Sequence, residues 1–291
     1  MRIAAYRFQG QPGVGRVSAD GRQVEPFQIS AADAALGALP LVEAQVAGRP
    51  LPPTGPAIPL QQVQLTAPIP RPRRNIFCVG KNYHAHAKEF AGSGFDSSAK
   101  SGGDIPAAPI IFSKVPESVV GPSDAIVCSP EVSTSIDYEA ELTIVIGKGG
   151  KGITKADAMK HVWGYTIIND VTARDWQGRH SQWLLGKSFD TFCPMGPWLV
   201  SADEMDGQAT DVKCWVNGEL RQNANTKDFI FDIPTLIECI SAGITLYPGD
   251  LIATGTPAGV GIGYKPPKYL KSGDVVKIEI DGIGTITNTL R

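Results

Sequence analysis

The sequence predicts a mainly β protein with a few helices, an α+β arrangement around one large core. Three observations carry this reading. From about Leu65 onward, apolar runs of strand length recur between turn signals. Helical composition in that region is confined largely to residues 154–161 and 233–242. No strand–helix–strand unit repeats, which argues against a doubly wound parallel sheet.

The elements before Leu65 read as a smaller unit. Residues 2–8, 14–18 and 23–28 form short apolar runs, with a turn at Asp20-Gly21 between the second and third. Residues 31–47 are helix-like in composition, and Pro40 is expected to break or end that helix. Residues 49–59 are rich in proline and read as a linker. The expected organisation is a small amino-terminal domain with its linker over residues 1–65 and a main domain over 66–291. Residues 91–109, polar and rich in Gly, Ser and Ala, are too long for a turn and suit an active-site lid.

Composition narrows the partners. The 291 residues are 42% hydrophobic and 19% charged, as in an ordinary globular chain. With 27 basic against 29 acidic residues, no global field attracts nucleic acid or an anionic membrane, so a small molecule is the expected partner. Five scattered cysteines without a C-x-x-C pair suggest reduced thiols. Neither a secretory leader pattern nor a run of about twenty apolar residues is present, and a cytoplasmic location is expected.

The most informative segment runs from Asp137 to Ile146. In a strand, Glu139, Glu141, Thr143 and Val145 share one face, while Ala140, Leu142, Ile144 and Ile146 share the other. Two neighbouring carboxylates repel or protonate unless a cation lies between them; a solvated strand end is the competing reading. A second strand, 163–168, leads into Asn169-Asp170. If Asp170 opens a helical turn, Arg174 and Gln177 fall on its side. The competing fate of Arg174 is a surface ion pair with Asp175. Three carboxylates without a soft ligand suit Mg²⁺, with Mn²⁺ and Ca²⁺ as further candidates, better than zinc.

A short helix is expected after Gly80-Lys81-Asn82-Tyr83. There His86 and Glu89, three apart, can pair so that the carboxylate raises the basicity of the imidazole, although such pairs are often simply exposed. His84 with His86 as a zinc pair lacks a third soft ligand. Two further segments are Gly186-Lys187-Ser188-Phe189-Asp190 and the glycine-rich Thr254-Gly255-Thr256-Pro257-Ala258-Gly259-Val260-Gly261, where backbone amides and the Thr256 hydroxyl can approach a ligand carboxylate. The second is not a phosphate loop, since it lacks a Gly-Lys-Ser/Thr end and a following helix.

These segments, in this order, resemble the fumarylacetoacetate hydrolase superfamily from about Arg74 to Arg291. The patterns are G-x-N-Y-x-x-H-x-x-E, E-x-E-L, N-D-x-[ST]-x-R-D-x-Q, G-K-[ST]-F-D and T-G-T-P-x-G-V-G. Residues 109–114 and 182–194 are most similar to the domain-containing protein 2 group and its bacterial relatives. The resemblance implies a mixed β-roll core with a small amino-terminal domain, usually a homodimer. It implies a divalent ion on Glu139, Glu141 and Asp170, and a water-activating dyad of His86 and Glu89 on a loop that orders with ligand. It also implies that Lys187, Arg174, Gln177 and Thr256, with Gly255 beside it, meet substrate oxygens or the enolate. The original hydrolases carry one further upstream aspartate ligand. Lys81-Asn82-Tyr83 offers no counterpart, so the three-carboxylate members are the nearer template.

The leading expectation is hydrolysis of a carbon–carbon bond in an acylpyruvate or related β-diketo acid. The alternative is tautomerisation, isomerisation or decarboxylation of oxaloacetate or a hydroxymuconate-type diacid through the same enolate. A third reading is a non-catalytic metal-dependent binder of such acids.

Overall fold

A computed structural model describes residues 1–91 and 105–291. The stretch 91–109, expected to act as a lid, lies largely outside the described residues. The first strands are β1 (Arg2–Phe8), β2 (Gln11–Val17) and β3 (Gln23–Pro26), followed by helices α1 (Ala31–Ala35) and α2 (Leu39–Val46). Pro40 falls at the start of α2, where its missing N–H costs no helical bond. It therefore divides the expected helix by opening the second half, and the left-handed Gly37 makes the break.

Strands β4 (Ile58–Pro59), β5 (Gln64–Thr66) and β6 (Ile76–Gly80) precede helix α3 (His84–Ala91). Then come β7 (Ile110–Lys114), β8 (Val119–Val120), β9 (Ile136–Asp137), β10 (Ala140–Ile146), β11 (Val162–Asn169) and β12 (Thr172–Ala173). Helices α4 (Arg174–Arg179) and α5 (Leu184–Lys187) lead to β13 (Cys193–Ser201), β14 (Asp211–Val216) and β15 (Glu219–Asn225). Helix α6 (Ile233–Ser241), β16 (Leu251–Ala253), β17 (Val275–Ile280) and β18 (Gly284–Thr289) complete the fold. The first expected helix of this region, 154–161, is only a short 3₁₀ turn at Ala158–His161. The second forms as α6, capped by the Asp232 side chain on Thr235 N–H.

Ten strands run in the order β4-β3-β2-β1-β13-β11-β10-β16-β6-β7, and β5 and β8 join at β1 and β13 to make a twelve-stranded sheet. The sheet is mixed: β16 with β6 and β13 with β8 are parallel, and the other pairs are antiparallel. A four-stranded sheet, β15-β14-β17-β18, forms a second layer. The central strand β10 shows why two layers are needed. Ala140, Leu142, Ile144 and Ile146 enter a core shared with Leu236, Ile237 and Ile240 of α6 and Ile278 and Ile280 of β17. Val145, on the opposite face, enters another with Ile3, Leu41, Val42 and Leu199. Both faces are buried, so the end of this strand is not solvated. No helix among the described residues is long and apolar enough to cross a membrane.

Candidate active site

Strand pairing places the first carboxylates. Ala140 pairs with Asn169 and Glu141 with Ile168, so the carboxyl end of β11 lies beside the amino end of β10. The Asp170 N–H donates to the Glu139 carbonyl at 2.8 Å, and the Asn169 side chain accepts from Glu139 N–H at 3.0 Å. Glu139, Glu141 and Asp170 thus present ligand oxygens within 4.8 Å of one another, all buried. Asp170 is not on a helix: β12 intervenes, and α4 begins only at Arg174. Arg174 and Gln177 are one turn apart on α4, with Arg174 donating to Gln177 Oε1 at 3.0 Å.

Three cations surround the carboxylates. Lys187 Nζ donates to Glu139 at 2.7 Å and to Asp170 at 2.8 Å. Arg174 donates to Glu139 at 2.6 Å and to Asp137 at 2.8 Å, and with 1% exposure it is no surface pair with Asp175. Lys114, at the end of β7, is fully buried and donates to Asp170 at 2.8 Å and to the carbonyls of Val171 and Lys187. Burial pushes the Glu139 carboxyl up, but Lys187 and Arg174 outweigh it and hold Glu139 at about 2. Glu141 goes the other way. Burial, together with the Asp170 and Glu139 charges, pushes it well above the carboxylate range, although Gly255 N–H donates to it at 2.9 Å. Glu141 carries the unbalanced repulsion that a cation would relieve.

The His86–Glu89 pair forms on α3. His86 Nδ1 lies 3.2 Å from Glu89 Oε2, and Gly259 N–H donates to the same carboxylate at 3.0 Å. Gly259 has φ 103°, and a Cβ there would meet the Arg221 carbonyl at 1.9 Å, so only glycine brings this amide so close. His86 is buried while His84 is exposed, so the two do not form a zinc pair. A cleft is lined by His86, Glu139, Glu141, Arg174, Gln177, Lys187 and Thr256, with Val79, Gly80, Lys81, Phe112 and Trp183 also in its wall.

Residues 75–291 match the family model described as fumarylacetoacetate (FAA) hydrolase C-terminal. The chain belongs to the fumarylacetoacetate hydrolase family. It is 51% identical over 232 residues to the oxaloacetate tautomerase YisK of Bacillus subtilis, covering 79% of this chain and 74% of that protein. Over 246 residues it is 47% identical to the human mitochondrial oxaloacetate tautomerase FAHD2A, covering 84% and 74%. A solved structure of the fumarylacetoacetate hydrolase of Exiguobacterium antarcticum is 39% identical, with a TM-score of 0.83 over 100% of this chain and 99% of that one. The maleylpyruvate hydrolase of Sphingobium sp. SYK-6, solved with manganese(II) and pyruvate, is 31% identical, with a TM-score of 0.76 over 100% and 98%. The expected family and its fold are thereby shown, and the domain-containing protein 2 group is among its relatives.

In this family member Asp170, Glu89 and Gly255 stand behind the cleft wall, beside the lining residues Glu139, His86 and Glu141. Two residues differ from expectation in what they touch. The Gly255 amide is spent on Glu141. The Thr256 hydroxyl donates to the Ala140 carbonyl at 3.1 Å and accepts from Gln222 Nε2 at 2.7 Å. Sequence reasoning missed three residues. Lys114 neutralises Asp170. Asp137 gathers Arg174 with the Gly261 and Ile262 amides at 2.6 and 3.0 Å, tying α4 to the glycine-rich loop. Gln222 joins β15 to Ala140 N–H and to Thr256. The available signal for Lys114 was a lysine closing the otherwise apolar run Ile110-Ile111-Phe112.

Proposed function

We propose that this chain is a divalent-metal-dependent tautomerase interconverting the keto and enol forms of oxaloacetate. The observation that carries the reading is a buried three-carboxylate cluster and a His–Glu pair that meet one cleft through Glu139, Glu141 and His86, in a chain about half identical to two oxaloacetate tautomerases. Hydrolysis, the leading expectation from sequence, thereby becomes the second reading.

The donor set fits a hard ion. Three carboxylates converge, and the displaced acidity of Glu141 marks the place where positive charge is wanting. Magnesium is the proposed ion, and the manganese in the Sphingobium hydrolase supports an ion of this class. Held by Glu139, Glu141 and Asp170, it would supply Lewis acidity toward the carboxylate and carbonyl oxygens of a 2-keto acid.

The side chains move the proton. His86 takes it from the carbon next to the keto group, while Glu89 on Nδ1 leaves proton transfer to Nε2. The C–H electron pair becomes the carbon–carbon double bond, and charge builds on the former carbonyl oxygen. The Lys187 ammonium stabilises that charge. Its own acidity is set by a balance: burial lowers its pKa, Asp170 and Glu139 raise it, and the two carboxylates prevail. Delivery of the His86 proton to the oxygen completes the enol, and return to carbon restores the ketone.

The test follows decay of oxaloacetate enol absorbance with magnesium-loaded protein, alongside cleavage of an acylpyruvate and release of carbon dioxide. Fast tautomerisation without comparable cleavage or gas is expected. Acylpyruvate cleavage outpacing tautomerisation would restore the hydrolase, which the two hydrolase structures support as second reading. Binding without turnover of any acid would leave a ligand binder. A homodimer is the proposed assembly, to be read by sedimentation.

A further inference from the structure

The amides of the glycine-rich loop are spent within the protein. Gly255 N–H donates to Glu141, Gly259 N–H to both oxygens of Glu89 at 3.0 and 3.2 Å, and Gly261 and Ile262 N–H to Asp137 at 2.6 and 3.0 Å. One loop thus holds a carboxylate of the dyad and, two residues on, a carboxylate outside both the metal cluster and the cleft wall. Asp137 is fully buried, and such a group is kept only where donors offset its desolvation. Besides the two loop amides it accepts from Arg174 Nε at 2.8 Å and from Tyr138 N–H at 2.9 Å.

The strand fixes Asp137, and Asp137 fixes the loop. Asp137 pairs with Thr172 of β12, which leads directly into α4 and Arg174. The next residue grips the loop from its other end: the Tyr138 hydroxyl donates to the Gly259 carbonyl at 2.8 Å. Gly259 is therefore held at its carbonyl while its amide holds Glu89. The fit is steric as well as polar. A Cβ on Gly261 would lie 2.7 Å from Asp137 Oδ1, and one on Gly263 would collide with Glu89 Oε1. The run 137–141 thus reaches both halves of the site, with Glu139 and Glu141 in the metal cluster and Asp137 and Tyr138 behind Glu89.

We propose that Asp137 is a positioning residue of the proton transfer: through the loop 259–263 it sets the Glu89 carboxylate, and with it the His86 ring, against the substrate. This rests on the reading above, in which His86 and Glu89 move the proton. Asp137 touches no reacting atom and acts through the amides it orders.

The experiment is a double-mutant cycle on magnesium-loaded protein, with Asp137→Asn and Gly261→Ala each made in wild type and in Glu89→Gln. Asparagine keeps the shape of Asp137 but offers one acceptor oxygen to the four donors around it. Asp137→Asn is expected to lower kcat for oxaloacetate tautomerisation roughly tenfold to a hundredfold, the usual worth of a hydrogen bond to a charged group. Gly261→Ala opens the same contact from the loop side and leaves the Asp137 carboxylate intact, so it decides the matter should Asp137→Asn fail to fold. It should lower kcat in the same direction, by about threefold or more. In Glu89→Gln either change should cost less than about twofold, because its route runs through the altered carboxylate. Equal fold losses in the two backgrounds, or full activity of the variants, would overturn the proposal and make Asp137 a structural residue. Nitrogen NMR of the histidine rings gives a reading independent of turnover: the chain has four histidines, and His86→Ala assigns the signal. The His86 Nδ1–H signal, set by its bond to Glu89, should move in both variants toward its position in Glu89→Gln. A signal that stays at its wild-type position in the folded variants would equally overturn the proposal. Should wild type fail to tautomerise oxaloacetate, the tautomerase reading falls, and the Nδ1–H signal still decides Asp137.

Discussion

Replacing Lys114 by Met tests the charge balance around Asp170 most directly. The side chains are similar in length, so the volume is kept and the charge is lost. At 2.8 Å and an effective dielectric of about 20, the Lys114–Asp170 attraction is about 6 kcal/mol before desolvation. Lys187, 2.8 Å from the other Asp170 oxygen, remains, while the carbonyls of Val171 and Lys187 lose their donor. The metal-free variant should lose about 3–5 kcal/mol, the range for a buried pair broken from one side. For a chain of this size that lowers the melting midpoint by roughly 6–15 °C. Magnesium should then act more strongly than in wild type, because a positive charge beside its ligand is gone and binding stabilises only the folded state. Thermal melts of both proteins, with chelator and with a magnesium series, provide the comparison. A variant melting with wild type in chelator, or gaining less from magnesium, would refute the reasoning.

Glu141→Ala should abolish the magnesium-dependent rise in melting temperature and change the metal-free midpoint by only a few degrees, because the β10 side chains Leu142, Ile144 and Ile146 stay packed. Magnesium stabilisation equal to wild type would remove Glu141 from the metal site. His86→Ala and Glu89→Gln should each lower tautomerase turnover by about a hundredfold to ten-thousandfold with magnesium affinity unchanged, measured by enol decay and calorimetry. Full activity in either variant would take the dyad out of the mechanism. Thiol labelling of the native protein should modify the exposed Cys239 first. Cys193 should stay protected until unfolding, since burial above all pushes its thiol to about 12. Mass mapping of the labelled cysteines reads the order, and early modification of Cys193 would contradict the burial argument.

The parts of the site legible in the sequence are those that a local period fixes. Alternation along a strand predicts that Glu139 and Glu141 point together, and the helical three-residue spacing predicts that His86 meets Glu89; both hold. The four-residue step from Asp170 to Arg174 suits one helical turn, but the strand β12 that intervenes is only two residues long, too short to announce itself. The break expected at Pro40 is present but falls just ahead of it, with Pro40 in the first turn of α2, since proline suits the first turn of a helix as well as its limit. Lys114 and Asp137 were beyond local reasoning. Lys114 meets Asp170 across 56 positions of sequence, and Asp137 meets the Gly261 amide across 124. The two layers likewise depend on register between distant strands, which no window of sequence encodes.

The twelve-stranded sheet crosses the line at which the family match begins. Ile3 of β1 pairs with Leu199 of β13, and β5 pairs with β1 further along the same edge, at Ala5, Tyr6 and Arg7. The segment 75–291 thus shares a sheet and a core with the residues before it. Expressed alone, it would uncover Leu199 and Val200 along a raw strand edge and lose the α2 side chains Leu41 and Val42 from its second core. Such an edge invites pairing with another chain. In this protein the amino-terminal part closes that edge with β1 and fills the second core with Leu41 and Val42.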